Sequence, residues 1–142
     1  MKRRIFALCL ALCMLVSLGG CSATPSKSTV DDYAMRVLEA ITAKDTAVLQ
    51  SLANADYAGY FSEQEMEPFY EQYEEWGVCG TGVKVGTLKR YAWQTSRDYF
   101  GDKGSEACYT VSIGGILYDF EIVVVTNESG EGMANFELER ID

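Results

Sequence analysis

Five cysteines, 21 carboxylates and nine tyrosines are the side chains of this 142-residue chain that could do chemistry, and no histidine accompanies them. That absence removes every Ser–His or Cys–His nucleophile pair, the histidine-based zinc sites and the usual general base near neutral pH. An enzyme built on this chain would have to run on carboxylates and tyrosines. The run Glu63, Glu67, Glu71, Glu74 and Glu75 reads as the solvated face of a helix, not as a metal site, and neither a metal nor a cofactor is expected. Among the cysteines, Cys21 stands apart. Lys2, Arg3 and Arg4 form a basic start, Ile5 to Leu18 adds about 14 largely apolar residues, and Gly19-Gly20 precede the thiol. That run has the length of a signal-peptide core and falls short of the roughly 20 residues of a membrane span.

Leu18-Gly19-Gly20-Cys21 resembles the bacterial lipobox. The resemblance implies cleavage before Cys21 and diacylglycerol on its thiol, so that residues 1–20 are a lipoprotein signal peptide. The protein would then work at the extracytoplasmic face of the cell membrane or in the cell envelope, with an ordinary secretory signal as the alternative. The leader carries three of the 12 Lys and Arg and none of the 21 Asp and Glu. The whole chain is −9 by formal count, and the mature chain, with nine basic residues left, is −12. A surface this acidic disfavours phosphate backbones and anionic head groups, so nucleic acid is not an expected partner. Acyl chains must then hold the protein on the membrane, and two or more suffice.

Ser22 to Ser28 is small and polar and reads as a tether over residues 21–28. One domain should occupy residues 29–142. Thr29 can cap a helix with Asp32 three residues on, and Val30, Tyr33, Ala34, Val37, Leu38 and Ile41 fall on one helical stripe. Asp45 or Thr46 starts a shorter helix burying Val48, Leu49 and Leu52. Tyr57, Tyr60 and Phe61 lie in an irregular stretch and are available to pack on the domain. Ser62 and Glu65 form a second capping box, followed by Met66, Phe69, Tyr70, Tyr73 and Trp76 on one face. After Gly77 the period becomes 2. Strands are predicted through Val83–Thr95, Ala107–Ile113, Ile116–Val125 and Ala134–Leu138, with turns at Gly101-Asp102-Lys103-Gly104, Gly114-Gly115 and Asn127–Gly132.

Parity tests the register. With Gly114-Gly115 as the loop, Ile113 faces Ile116, Val111 faces Tyr118, Tyr109 faces Phe120 and Ala107 faces Ile122, all on one face. Ile122 then faces Phe136 and Phe120 faces Leu138. On the other side Val111 is expected opposite Trp93 and Ile113 opposite Tyr91. The reverse face carries Asp119, Glu121, Glu137 and Glu139, with Leu117, Val123 and Val125 as apolar exceptions that could mark a homodimer contact. Cys108 should lie near Arg97, far from Cys79, which precedes that strand, so no disulfide is expected.

Helices first and a four-stranded meander after them make an α+β layout, with N-terminal helices on one face of a curved antiparallel sheet. Val37 to Leu49, with Asp45 between two helices, and the closing strands Tyr118–Val125 and Phe136–Leu138 resemble the nuclear transport factor two-like superfamily. That superfamily shares its fold with ketosteroid isomerase and SnoaL-type cyclases, and a cystatin-like wrap is the neighbouring alternative. The resemblance implies a cavity under the sheet, lined here by Tyr91, Trp93, Tyr109, Tyr118, Phe120 and Phe136 as ligand-binding residues. Isomerase chemistry would need an inward carboxylate beside a tyrosine. Asp56, near Tyr57 and Tyr60 at the rim, is the one candidate, and no catalytic residue is assigned. The expected function is a non-catalytic, lipid-anchored domain binding a small molecule or a partner protein. A structural or inhibitory module with a filled cavity, or less readily a cavity isomerase or dehydratase using Asp56, are the alternatives.

Overall fold

The computed structural model describes residues 24–142. The signal-peptide and Cys21 expectations lie outside these residues. The first helix, α1 (Lys27–Thr42), begins earlier than expected because Ser26, not Thr29, is its cap: the Ser26 hydroxyl accepts from the Thr29 N–H. Pro25 is buried, and its carbonyl accepts a 2.7 Å bond from the Ser105 hydroxyl. Pro25 to Ser28 therefore belong to the domain, and the tether ends sooner than the predicted residue 28. The spacing of Val30, Ala34, Val37, Leu38 and Ile41 buries all five.

Lys44 turns the chain at φ 53°, and the Asp45 carboxylate accepts from the Val48 N–H to cap α2 (Thr46–Leu52). Leu49 and Leu52 are buried, whereas Val48, one residue off the stripe, stays exposed. A 3₁₀ turn (Ala58–Phe61) leads to α3 (Glu63–Glu75), where Ser62 accepts from the Glu65 N–H as the capping box requires. Met66, Tyr70 and Tyr73 are buried, but Phe69 is half exposed.

The sheet is an open antiparallel meander in the order β1 (Val85–Tyr99), β2 (Asp102–Ile113), β3 (Ile116–Asn127), β4 (Gly130–Arg140). Beside these four, Ala53 forms a one-residue parallel bridge to Met133, a fifth pairing at the β4 edge that the sequence reading lacked. Gly114 and Gly115 both take positive φ, as a primed hairpin turn requires. The pairs Ile113–Ile116, Val111–Tyr118, Tyr109–Phe120, Ala107–Ile122, Ile122–Phe136 and Phe120–Leu138 are all formed.

The β1 register differs. Val111 faces Leu88 and Ile113 faces Val85, because the turn is displaced and an extra residue enters β1 at three places: between Val85 and Leu88, between Arg90 and Ala92 (Tyr91), and between Ser96 and Tyr99. Each bulge reverses the alternation, so Trp93 faces Ala107 and Tyr91 turns to the other face. Cys108 sits opposite Ala92, not Arg97. The β1–β2 turn is also displaced: Phe100-Gly101 makes it, and Asp102 already belongs to β2.

All three helices pack on one face of the sheet, where Ala107, Tyr109, Val111, Ile113, Tyr118, Phe120, Ile122 and Val124 meet α1, α2 and α3 in one apolar core. On the reverse face Val123 and Val125 are buried with Ala134, beneath Tyr57 and Tyr99. Gly104 leaves the room for this, since a Cβ there would press on the Tyr99 Cβ. Two of the three residues that suggested a dimer contact are thus covered within the chain; Leu117 remains exposed.

Candidate functional site

The sheet face expected to line a cavity is filled. Tyr109, Tyr118 and Phe120 are fully buried. The Tyr109 hydroxyl donates to Asp31 Oδ1 at 2.7 Å, and the Tyr118 hydroxyl to the Trp76 carbonyl at 2.6 Å. Burial raises both phenols above their ordinary value, so neither is a ready acid. Trp93 is half buried, with the Lys27 ammonium 5.9 Å and the Arg90 guanidinium 6.0 Å from its ring. Tyr91, carried outward by its bulge, donates to Asp119 Oδ1 at 2.7 Å; that bond and burial push its pKa up to about 12. These five expected ligand-binding residues therefore line no common space. Tyr91 and Phe120 border a small depression on the acidic face, and Phe136 alone of the six reaches the larger open cleft.

That cleft holds about 870 Å³, within the usual range for small-ligand sites. One wall is the 3₁₀ turn and the start of α3, the other the Phe100-Gly101 turn, and β4 residues Ala134–Phe136 form the floor. Three aromatic side chains stand at it largely in solvent: Tyr60 is 71% exposed, Phe69 50% and Phe100 86%. Phe136 stacks on Phe61, with ring centroids 5.7 Å apart, and reaches inward to Phe120 at 6.2 Å, joining cleft to core. Phe100 sits at φ 50°, a conformation rare for a bulky residue, with its ring edge-on to Tyr99 at 5.0 Å.

Carboxylates share the cleft. Asp56, Glu65 and Asp102 line it, and among the described residues no lysine or arginine does. Tyr57 donates to Asp102 Oδ2 at 2.8 Å. The Asn127 amide donates to both Asp56 Oδ2 at 3.0 Å and Asp102 Oδ2 at 3.1 Å, and the Ser129 hydroxyl donates to Asp56 Oδ1 at 2.9 Å. Buried Asn54 fixes this group by donating to Asn127 Oδ1 and the Gly130 carbonyl, each at 2.9 Å. Burial, then the Asp102 carboxylate, pushes the Tyr57 phenol up to about 12. Lys103 stands in an adjoining depression that also touches Asp56 and Asp102.

A second chemical grouping lies on the reverse sheet face. Ligand atoms of Glu106, Cys108 and Glu121 come within 4.8 Å of one another. Here Asp119 pairs directly with Glu139 and Glu121 with Glu137. Burial, then Glu106 and Glu137, raises the Glu121 carboxyl above its ordinary value. Cys79 is free on the helix side of the sheet, its thiol donating to the Ile41 carbonyl, and burial pushes its pKa up to about 11. Cys108 is free on the opposite face.

From the sequence, Asp56 is expected near Tyr57 and Tyr60 at a rim, and nothing there joins them to Phe61, Phe69, Phe100, Glu65 or Asp102. The signal for Phe100 was an aromatic residue immediately before a turn glycine. Phe69 was hidden in a helical stripe that is mostly core. No protein-family model, curated protein or solved structure matches this chain. Among the described residues, no helix is long and apolar enough to cross a membrane.

Proposed function

We propose that this protein is a lipid-anchored, extracytoplasmic binding domain without catalytic activity, which takes a small ligand in the open aromatic cleft. In this reading Cys21 carries the anchor, and the finer architecture is that of a nuclear transport factor two-like domain with a curved sheet. Residues 22–24 are all that separates Cys21 from buried Pro25, a link that can span at most about 14 Å, which would keep the anchored domain close to the bilayer.

The observation that carries the reading is the set Tyr60, Phe69 and Phe100, exposed together around one cleft. Exposed apolar residues scattered singly need no explanation, but rings gathered around a concavity mark a binding surface. A non-catalytic role fits the site's hydrogen bonds. Both Asp56 oxygens already accept from Asn127 and Ser129, and the Tyr57 hydroxyl is committed to Asp102. The isomerase alternative would need one of them free toward substrate. The filled sheet face favours the structural-module reading only for that face.

Native mass spectrometry of the mature protein purified from its own host tests the proposal. A co-purifying small-molecule adduct is expected on the wild type and in smaller amount on Phe100→Gly. No adduct on the wild type, or an equal adduct on both, contradicts it.

A further inference from the structure

Resting on the cleft as the binding site, we propose that its ligand is a free alkylated ammonium cation. Two independent features of the lining select this class. The first is the rings: Tyr60, Phe69 and Phe100 line the cleft with half or more of their surface exposed. Aromatic faces attract cations through their quadrupole, and sites for quaternary ammonium groups are built this way. The second is charge. Asp56, Glu65 and Asp102 supply three carboxylates, and among the described residues no cationic side chain lines the cleft. Two of the three share a single amide nitrogen, that of Asn127, as a donor. Like charges held this closely repel one another, and a cation entering the cleft relieves that repulsion. Lys103 lines an adjoining depression together with Asp56 and Asp102 and does not line the cleft.

The alternatives fit less well. A metal ion would want several free oxygens converging on one point, whereas Asp56 and Asp102 already accept bonds from Ser129, Asn127 and Tyr57. An anionic ligand would meet three carboxylates in the lining. A neutral apolar ligand would use the rings but leave those carboxylates desolvated without a partner. An ammonium bearing alkyl groups uses both, its apolar shell against the rings and its charge toward the acids.

The test is calorimetric titration of the full mature chain in a non-ionic detergent with choline and with its neutral carbon isostere, 3,3-dimethylbutan-1-ol. Choline is expected to bind at least about tenfold more tightly than the isostere, and Phe100→Gly and Tyr60→Leu to weaken choline about two- to fivefold each. Thermal melting of both variants should stay near wild type, because both side chains stand in solvent. Equal binding of choline and isostere, or variants that bind choline as wild type does, overturns the cation. If the isostere binds equally and Phe100→Gly still weakens it, the cleft stands as a site and only the ligand class falls. Absence of choline binding overturns the cation, and if no adduct co-purifies either, the binding reading falls with it.

Discussion

Phe100 is the residue on which the site turns, and its backbone shows why. A left-handed φ costs an ordinary residue about 1–2 kcal/mol, and glycine escapes that cost. Phe100→Gly would remove the strain and lose an edge-on ring contact with Tyr99 worth about 0.5–1.5 kcal/mol. The two nearly cancel, so stability by thermal denaturation is expected to change by no more than about 1 kcal/mol while the cleft loses one wall. At Glu121 the balance has a definite sign. Its carboxyl lies above the ordinary 4.5 when folded, so its ionisation opposes folding as pH rises through that value. Glu121→Gln should therefore stabilise the protein at pH 7 by roughly 0.2–1 kcal/mol, the worth of a cross-strand like-charge pair. The gain should vanish near pH 4, which melting curves at the two pH values would show. Asp31 works in the opposite direction. Burial alone would raise its carboxyl, but hydrogen bonds from Arg90 and Tyr109 and the Arg90 charge outweigh that and hold it below its ordinary 3.8. Its contribution is present above that value and lost as pH falls below it.

Among the elements, the β4 edge is where the helical segment meets the sheet. Asn54 donates its N–H to the Met133 carbonyl at 2.9 Å, and a Cβ on Gly132 would overlap the Asn54 backbone. Gly132→Ala must push Ala53-Asn54 off the strand and disturb the Asn54–Asn127 network behind the cleft, a loss expected at about 1–3 kcal/mol by denaturant titration. An unchanged midpoint would show that the bridge does not hold the edge. The β2, β3 and β4 registers were legible in the sequence because the Gly114-Gly115 loop fixes one pairing and alternation carries it outward. β1 was not, because its turn is displaced and three bulges each reverse the count, of which only the first carries a mark in the sequence, Gly86. The same reversal sent Tyr91 to the acidic face. The cleft was only half legible. Its Asp56–Phe61 wall reads as a chain segment with spare aromatics, whereas its other wall depends on Tyr99 folding back over Gly104, a contact between residues with no shared period.

At the scale of the molecule, one side of the sheet is filled by the helices and the other is acidic, so the cleft between the 3₁₀ turn and the Phe100-Gly101 turn is where concavity, exposed rings and charge coincide. If Cys21 carries the proposed anchor, a domain this acidic would depend on the acyl chains to stay at the membrane. Cys21→Ser is accordingly expected to move the protein from the membrane fraction to the soluble one; retention on the membrane would contradict the anchor. The most direct test of the binding claim is hydrogen exchange on the mature protein as isolated from its host, compared with the same protein unfolded and refolded to release what it carries. The account predicts slower exchange in the isolated form at Tyr57–Phe61 and Tyr99–Asp102, with the filled sheet unchanged. Identical exchange in both forms at those two segments would contradict it.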